Sequence, residues 1–212
     1  MPLDRRAKRR ALIFLAVAGA ILWFPVARLL LGQPPGFLRD LGFVSGPGGT
    51  PVAWALALVV AFVYAAFTVR NNPLVRENWR ALTAAKLLGV TAAVAAAIVE
   101  EAFFRRMIMD AVFAAGGDSL VQVAGSALIF GAAHGVWGIV TGRMVVGIGI
   151  MVATGTLGIA LAVVYLVGER SLAPVVISHF IITATIQPGI TYAAFSGQMR
   201  LPGKNWWRIT SR

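Results

Sequence analysis

The sequence predicts an all-α fold: a polytopic transmembrane helix bundle of about six spans, with an active site between its core helices. Three observations carry that expectation: the composition, a charge pattern that brackets the apolar runs, and a group of ionisable residues inside one of them. Hydrophobic residues make up 58% of the 212 positions and charged residues 13%, and the mean hydropathy is +0.80. This is far more apolar than an ordinary globular domain. The formal charge is +11, yet the basic residues gather in short runs beside apolar segments, as topology signals and anionic-lipid contacts do. The bilayer is therefore the expected partner and nucleic acid is not. The chain has no cysteine, which excludes disulfides, thiolate metal sites and cysteine nucleophiles.

Each span follows from an apolar run and its flanks. Arg5, Arg6, Lys8, Arg9 and Arg10 precede an apolar run from Ala11 to about Leu31. That run is long and has no small-residue cleavage site before Arg28, so it reads as a first span and not as a signal peptide. Gln33 to Pro51 holds Pro34-Pro35-Gly36 and Gly46-Pro47-Gly48-Gly49 and reads as a loop. Val52 to Val69 is a second span, followed by a basic connection from Arg70 to Lys86. Leu87 to Ala115 forms the third span and ends at the turn Gly116-Gly117-Asp118. Ser119 to Val140 is the fourth. Met144 to Val167 is the fifth, with Gly147, Gly149, Gly155 and Gly158 allowing close helix approach. Leu172 to Ile190 is the sixth, with Pro174 in its first turn and Pro188 near its end. The tail is basic and carries Trp206 and Trp207, suited to a membrane interface.

Six spans put the basic N-terminus, the 70–86 connection, Arg143 and the basic tail on one side, which the positive-inside rule makes cytoplasmic. The expected location is the cell (inner) membrane, multi-pass, with both termini in the cytoplasm. The expected organisation is a basic segment with two accessory spans over residues 1–86, a catalytic core over 87–190 and a basic tail over 191–212.

The third span contains Glu100-Glu101-Ala102-Phe103-Phe104-Arg105-Arg106. A charge at the bilayer centre costs about 2.5 to 3.5 kcal/mol even on lenient insertion scales. Helical spacing puts Glu101 and Arg105 one turn apart in the favourable acid-before-base order. Glu100 has no partner at that spacing, so one carboxylate is neutralised and the other is available for chemistry. The chain has two histidines, His134 and His179, and each falls in a predicted span. Two carboxylates and two imidazoles from three helices can make a polar, water-holding pocket, as hydrolysis inside a bilayer requires. A single intramembrane histidine serves equally well as an interhelical hydrogen-bond partner.

Three motifs in order, Glu100-Glu101-x-x-x-Arg105, Phe130-x-x-x-His134 and His179-x-x-x-Thr183, resemble the CAAX protease and bacteriocin-processing (CPBP or Abi) family of intramembrane glutamic endopeptidases. The resemblance covers roughly Leu87 to Pro188. It implies that Glu100 is the general base, that His134 helps to hold the water, and that Glu101, paired with Arg105, is structural or orients the first carboxylate. It also implies that His179 donates to the oxyanion. The family has an amide or carboxylate where this chain has Thr183. The implied substrates are prenylated C-terminal tails or peptide precursors at the membrane, and nothing in the sequence selects between them. The oligomeric state is also left open.

Other chemistries fit less well. His134 is followed by Gly135, so a His-Glu-x-x-His zinc motif is absent. Ser126 does not lie in a Gly-x-Ser-x-Gly elbow. Asp110 and Asp118 lie at the end of a span, where they make no aspartyl pair. No cofactor is required, although two histidines and a glutamate also make a catalytic zinc set, so a divalent metal held by His134, His179 and a Glu stays open. A non-catalytic alternative, a scaffold or immunity-type protein with the cluster as structural glue, is favoured by the Thr183 departure. A small transporter is disfavoured because no discontinuous helix pair or inverted repeat is evident.

Overall fold

The computed structural model describes residues 4–32, 34–43 and 48–199. Trp206 and Trp207 lie outside the described residues. Helices α1 (Arg5–Gly32), α2 (Pro34–Asp40), α3 (Pro51–Asn71), α4 (Pro73–Asn78) and α5 (Ala84–Glu101) come first. A π-helical segment (Ala102–Met109) runs on into α6 (Asp110–Ala114). Helices α7 (Ser119–His134), α8 (Val136–Thr141), α9 (Met144–Val167), α10 (Leu172–Ile186) and α11 (Gly189–Phe195) complete the bundle. No strand occurs among the described residues. Five helical stretches are long and apolar enough to cross a membrane, and the bent pair α10 and α11 makes a sixth if it counts as one span.

Helix starts are chemically marked. Thr50, Asn72, Thr83 and Asp118 each accept from a backbone N–H in the first turn of α3, α4, α5 and α7. Small residues then set the packing. Buried Ala53, Ala57, Ala61 and Ala65 repeat every fourth position along α3 and face α10 and α9. Gly19 of α1 lies against Ala92 of α5, and the Trp23 indole donates to the Thr91 carbonyl at 2.9 Å. Helices α7 and α9 meet backbone to backbone: a Cβ on Gly131 would stand 2.7 Å from the Met151 carbonyl and 3.1 Å from Gly155 Cα. Gly147, Gly155 and Gly158 thus serve close approach as expected, whereas Gly149 lines a cavity. Phe62, Leu128 and Ile139 are more than 70% exposed, as lipid-facing side chains are.

Three local departures from the sequence reading stand out. The 33–51 loop contains α2, because Pro34 and Pro35 occupy a first turn, where a missing N–H costs nothing. The 70–86 connection contains α4, and Lys86 is not a surface charge but is 9% exposed inside the bundle. The fourth span holds as one stretch, Ser119–Thr141, although a one-residue turn at Gly135, where the backbone stays right-handed, separates α7 from α8. The sixth span stops at Ile186 and resumes after a bend of 56°. Gln187 is extended (φ −82°, ψ 144°) because the Pro188 ring disfavours helical geometry before it. A discontinuous helix pair is therefore present, contrary to the expectation that weighed against a transporter.

Candidate active site

Glu100 and Glu101 close α5, and the π-helical segment begins at the next residue. π-Helical insertions widen a helix locally and occur often at functional sites. Two successive carboxylates on a helix point about 100° apart, so they enter different surroundings. Glu101 is fully buried and its Oε2 lies 2.9 Å from Arg105 Nε, itself fully buried. Its Oε1 lies 2.7 Å from His179 Nδ1. Glu100 is about a quarter exposed, and its Oε2 lies 3.8 Å from Nε2 of His134 and 3.8 Å from Nε2 of His179. That oxygen makes no hydrogen bond to the described residues.

Aromatic rings hold the imidazoles. His134 ends α7, with its Nδ1 2.9 Å from the Phe130 carbonyl and its ring centroid 4.5 Å from that of Phe130. The same Phe130 ring meets His179 edge-on at 5.9 Å and Phe104 edge-on at 4.9 Å. With Nδ1 facing a carbonyl in one case and a carboxylate in the other, both Nε2 atoms are directed at Glu100. All five residues Glu100, Glu101, Arg105, His134 and His179 therefore come together. Thr183, one turn beyond His179, faces the same cavity but makes no side-chain hydrogen bond among the described residues.

The cavity has a volume of about 610 Å³. Glu100, His134, His179 and Thr183 lie on its wall, and Glu101 and Arg105 do not. The rest of the wall is largely apolar, including Ala92, Ala96 and Leu157. Helices α1 and α3, outside the sequence resemblance, contribute Phe14, Leu15, Tyr64 and Phe67. One wall can thus bind an apolar segment while another offers a carboxylate and two imidazoles. The described residues contain no group of three or more His, Asp or Glu arranged to hold a metal ion. His179 directs Nδ1 at Glu101 and turns Nε2 toward Glu100.

Two supporting residues were not identified as site residues from sequence. Ser126 is fully buried; it accepts from Arg105 Nη1 at 2.6 Å and donates to the Phe104 carbonyl at 3.0 Å. Its signal was available, since Ser126, Phe130 and His134 repeat every fourth residue and share one face of α7. Lys86 donates to the carbonyls of Ala184, Thr185 and Gln187 at 2.5, 3.2 and 2.8 Å. It tethers the C-terminal end of the helix that carries His179, the end where a cation is favoured. No local pattern marks that role. The aspartates are engaged elsewhere: Asp110 pairs with Arg170 and accepts from the Tyr165 hydroxyl, and Asp118 caps α7.

No curated protein and no solved structure matches the chain. Residues 82–185 match the family described as type II CAAX prenyl endopeptidase Rce1-like. That stretch includes Glu100, Glu101, Arg105, His134, His179 and Thr183. Through residues 82–185 the chain belongs to the Rce1-like type II CAAX prenyl endopeptidase family.

Proposed function

We propose that this chain is an intramembrane endopeptidase that hydrolyses a peptide bond in a membrane-associated protein or peptide, with Glu100 activating the water. Family membership makes it a CAAX-protease-like intramembrane peptidase, and the helices make it a multi-pass integral membrane protein. The observation that carries the finer reading is Glu100 Oε2, equidistant at 3.8 Å from two Nε2 atoms on the cavity wall. Polar atoms at that separation suit a shared water.

Glu100 takes a proton from this water, held also by His134, as the water oxygen bonds to the scissile carbonyl carbon. The carbonyl electron pair moves onto oxygen. When the intermediate collapses, the C–N bond breaks and Glu100 returns the proton to the departing nitrogen. Glu101 and Arg105 orient His179, and His179 donates to the oxyanion from Nε2. Because Nδ1 faces Glu101, this donation requires a proton on each ring nitrogen, with Glu100 and Glu101 as counter-charges. Thr183 is the second donor. One well-placed oxyanion donor is worth about 2.7 to 4 kcal/mol.

The core over 87–190 carries the chemistry, and the first two spans shape the substrate chamber. The positive-inside pattern favours both termini in the cytoplasm at the cell membrane. The test compares peptide termini in membranes from cells expressing wild type or Glu100→Gln at equal levels. Termini present only with wild type support proteolysis and reveal the substrate. Identical termini, with both proteins folded and substrate present, reject it.

A further inference from the structure

The Ser126 hydroxyl is engaged twice inside a fully buried site. It has one proton, and the Phe104 carbonyl in the π-helical segment receives it. The oxygen can then only accept from Arg105, at 2.6 Å. Neither Nε nor Nη2 of Arg105 has a well-aligned hydrogen-bond acceptor among the described residues. Ser126 is therefore the directed anchor of this guanidinium, with the Phe130 ring against it at 5.2 Å. From Arg105 the contacts continue to Glu101 at 2.9 Å and from Glu101 to His179 Nδ1 at 2.7 Å.

We propose that Ser126 is a positioning residue for His179, acting through Arg105 and Glu101 to fix which ring nitrogen faces Glu100. Arg105 is fully buried, so solvent does not replace a lost acceptor. Without the hydroxyl the guanidinium turns toward other acceptors, Glu101 follows it, and Nδ1 of His179 loses its anchor. Ser126 touches no reacting atom. Its catalytic consequence rests on the peptidase reading above, whereas its effect on the imidazole does not.

The full chain in lipid nanodiscs, labelled with ¹⁵N in its histidine rings, gives a direct readout because the chain has two histidines. His134→Gln assigns the signals. In the wild type, Nδ1 of His179 is expected to carry a proton, because it faces the Glu101 carboxylate. Ser126→Ala is expected to shift both ring nitrogens of His179 and to leave those of His134 in place, whereas Ser126→Thr keeps the hydroxyl and the wild-type pattern. Cleavage is expected to fall by up to about 100-fold in Ser126→Ala, the loss that a misplacement of about 1 Å can cause, and to be restored in Ser126→Thr. A folded Ser126→Ala protein with unchanged His179 signals overturns the proposal. If that variant does not fold, Ser126→Cys, with its weakly bonding thiol, is read in the same way, and unchanged His179 signals again overturn it. Failure of the peptidase reading is separately visible: Glu100→Gln then leaves peptide termini unchanged while Ser126→Ala still shifts His179.

Discussion

Glu101 Oε1 lies 2.7 Å from His179 Nδ1, although 78 residues separate them in the chain. This contact ties α5 to α10 and fixes the direction of the imidazole, and with Arg105 it keeps Glu101 off the cavity wall. Adjacent carboxylates therefore have different surroundings. One is held in a buried ion pair, and the other faces the chamber beside two Nε2 atoms.

Removing the chamber carboxylate should abolish activity with little effect on the fold. Glu100→Gln keeps the shape of the side chain and removes the proton acceptor, so cleavage should fall by about 10²- to 10⁴-fold, the range for general acid–base catalysis. The thermal melting of the purified variant should match wild type. Full activity in Glu100→Gln would transfer the base to another group.

Arg105→Ala should act first on stability. Breaking a buried ion pair by removing one partner costs about 3 to 5 kcal/mol, because the other charge is left buried and unpaired. The loss should appear as a lower unfolding midpoint in detergent. Combining Arg105→Met with Glu101→Gln should cost less than the sum of the single changes, since the double variant removes both partners of the ion pair and Glu100 stays beside His179.

Lys86→Met should loosen the far end of α10. It leaves the Ala184, Thr185 and Gln187 carbonyls without the ammonium, and a stranded buried acceptor costs about 1 to 3 kcal/mol. Hydrogen exchange should rise over the last turn of α10 and not in α9. Unchanged exchange there would mean that the Pro188 bend alone ends the helix.

Thr183→Val removes one hydroxyl at nearly constant volume on the cavity wall. If Thr183 is the second oxyanion donor, cleavage should drop by about 10²-fold, at the lower end for loss of one donor, with substrate binding and melting retained. Wild-type cleavage would remove Thr183 from the mechanism and leave His179 as the donor.

Gly131→Ala and Gly125→Ala test the helix packing. At Gly131 the new methyl meets the backbone of α9 at 2.7 Å and neither helix can yield cheaply, so overpacking should cost about 1 to 3 kcal/mol. At Gly125 nothing lies within 4 Å, and the change should stabilise by about 0.5 to 1 kcal/mol through helix propensity. Equal effects at the two sites would contradict the close α7 and α9 contact.

The sequence by itself determined the class of the protein and the order of its spans, because apolar runs of bilayer length and their basic flanks are local properties. It also marked Glu100 as the carboxylate without a one-turn partner and Glu101 as the one facing Arg105, since i,i+4 spacing is local too. Phe130 and His134 were readable as one face of α7 for the same reason. Only the tertiary structure decided that His179 reaches Glu101, that Ser126 anchors Arg105, and that Lys86 closes the end of α10. Each of these contacts joins two helices, and a pattern of 3.6 residues per turn carries no information about which turns of different helices will meet. The π-helical segment after Glu101 also escaped the local pattern, because its 8 residues are fewer than the window of about 11 to 18 over which a period is read, whereas the break at Gln187 follows from the local signal of Pro188. Interhelical packing of small residues set those meetings, and with them the direction of the His179 imidazole.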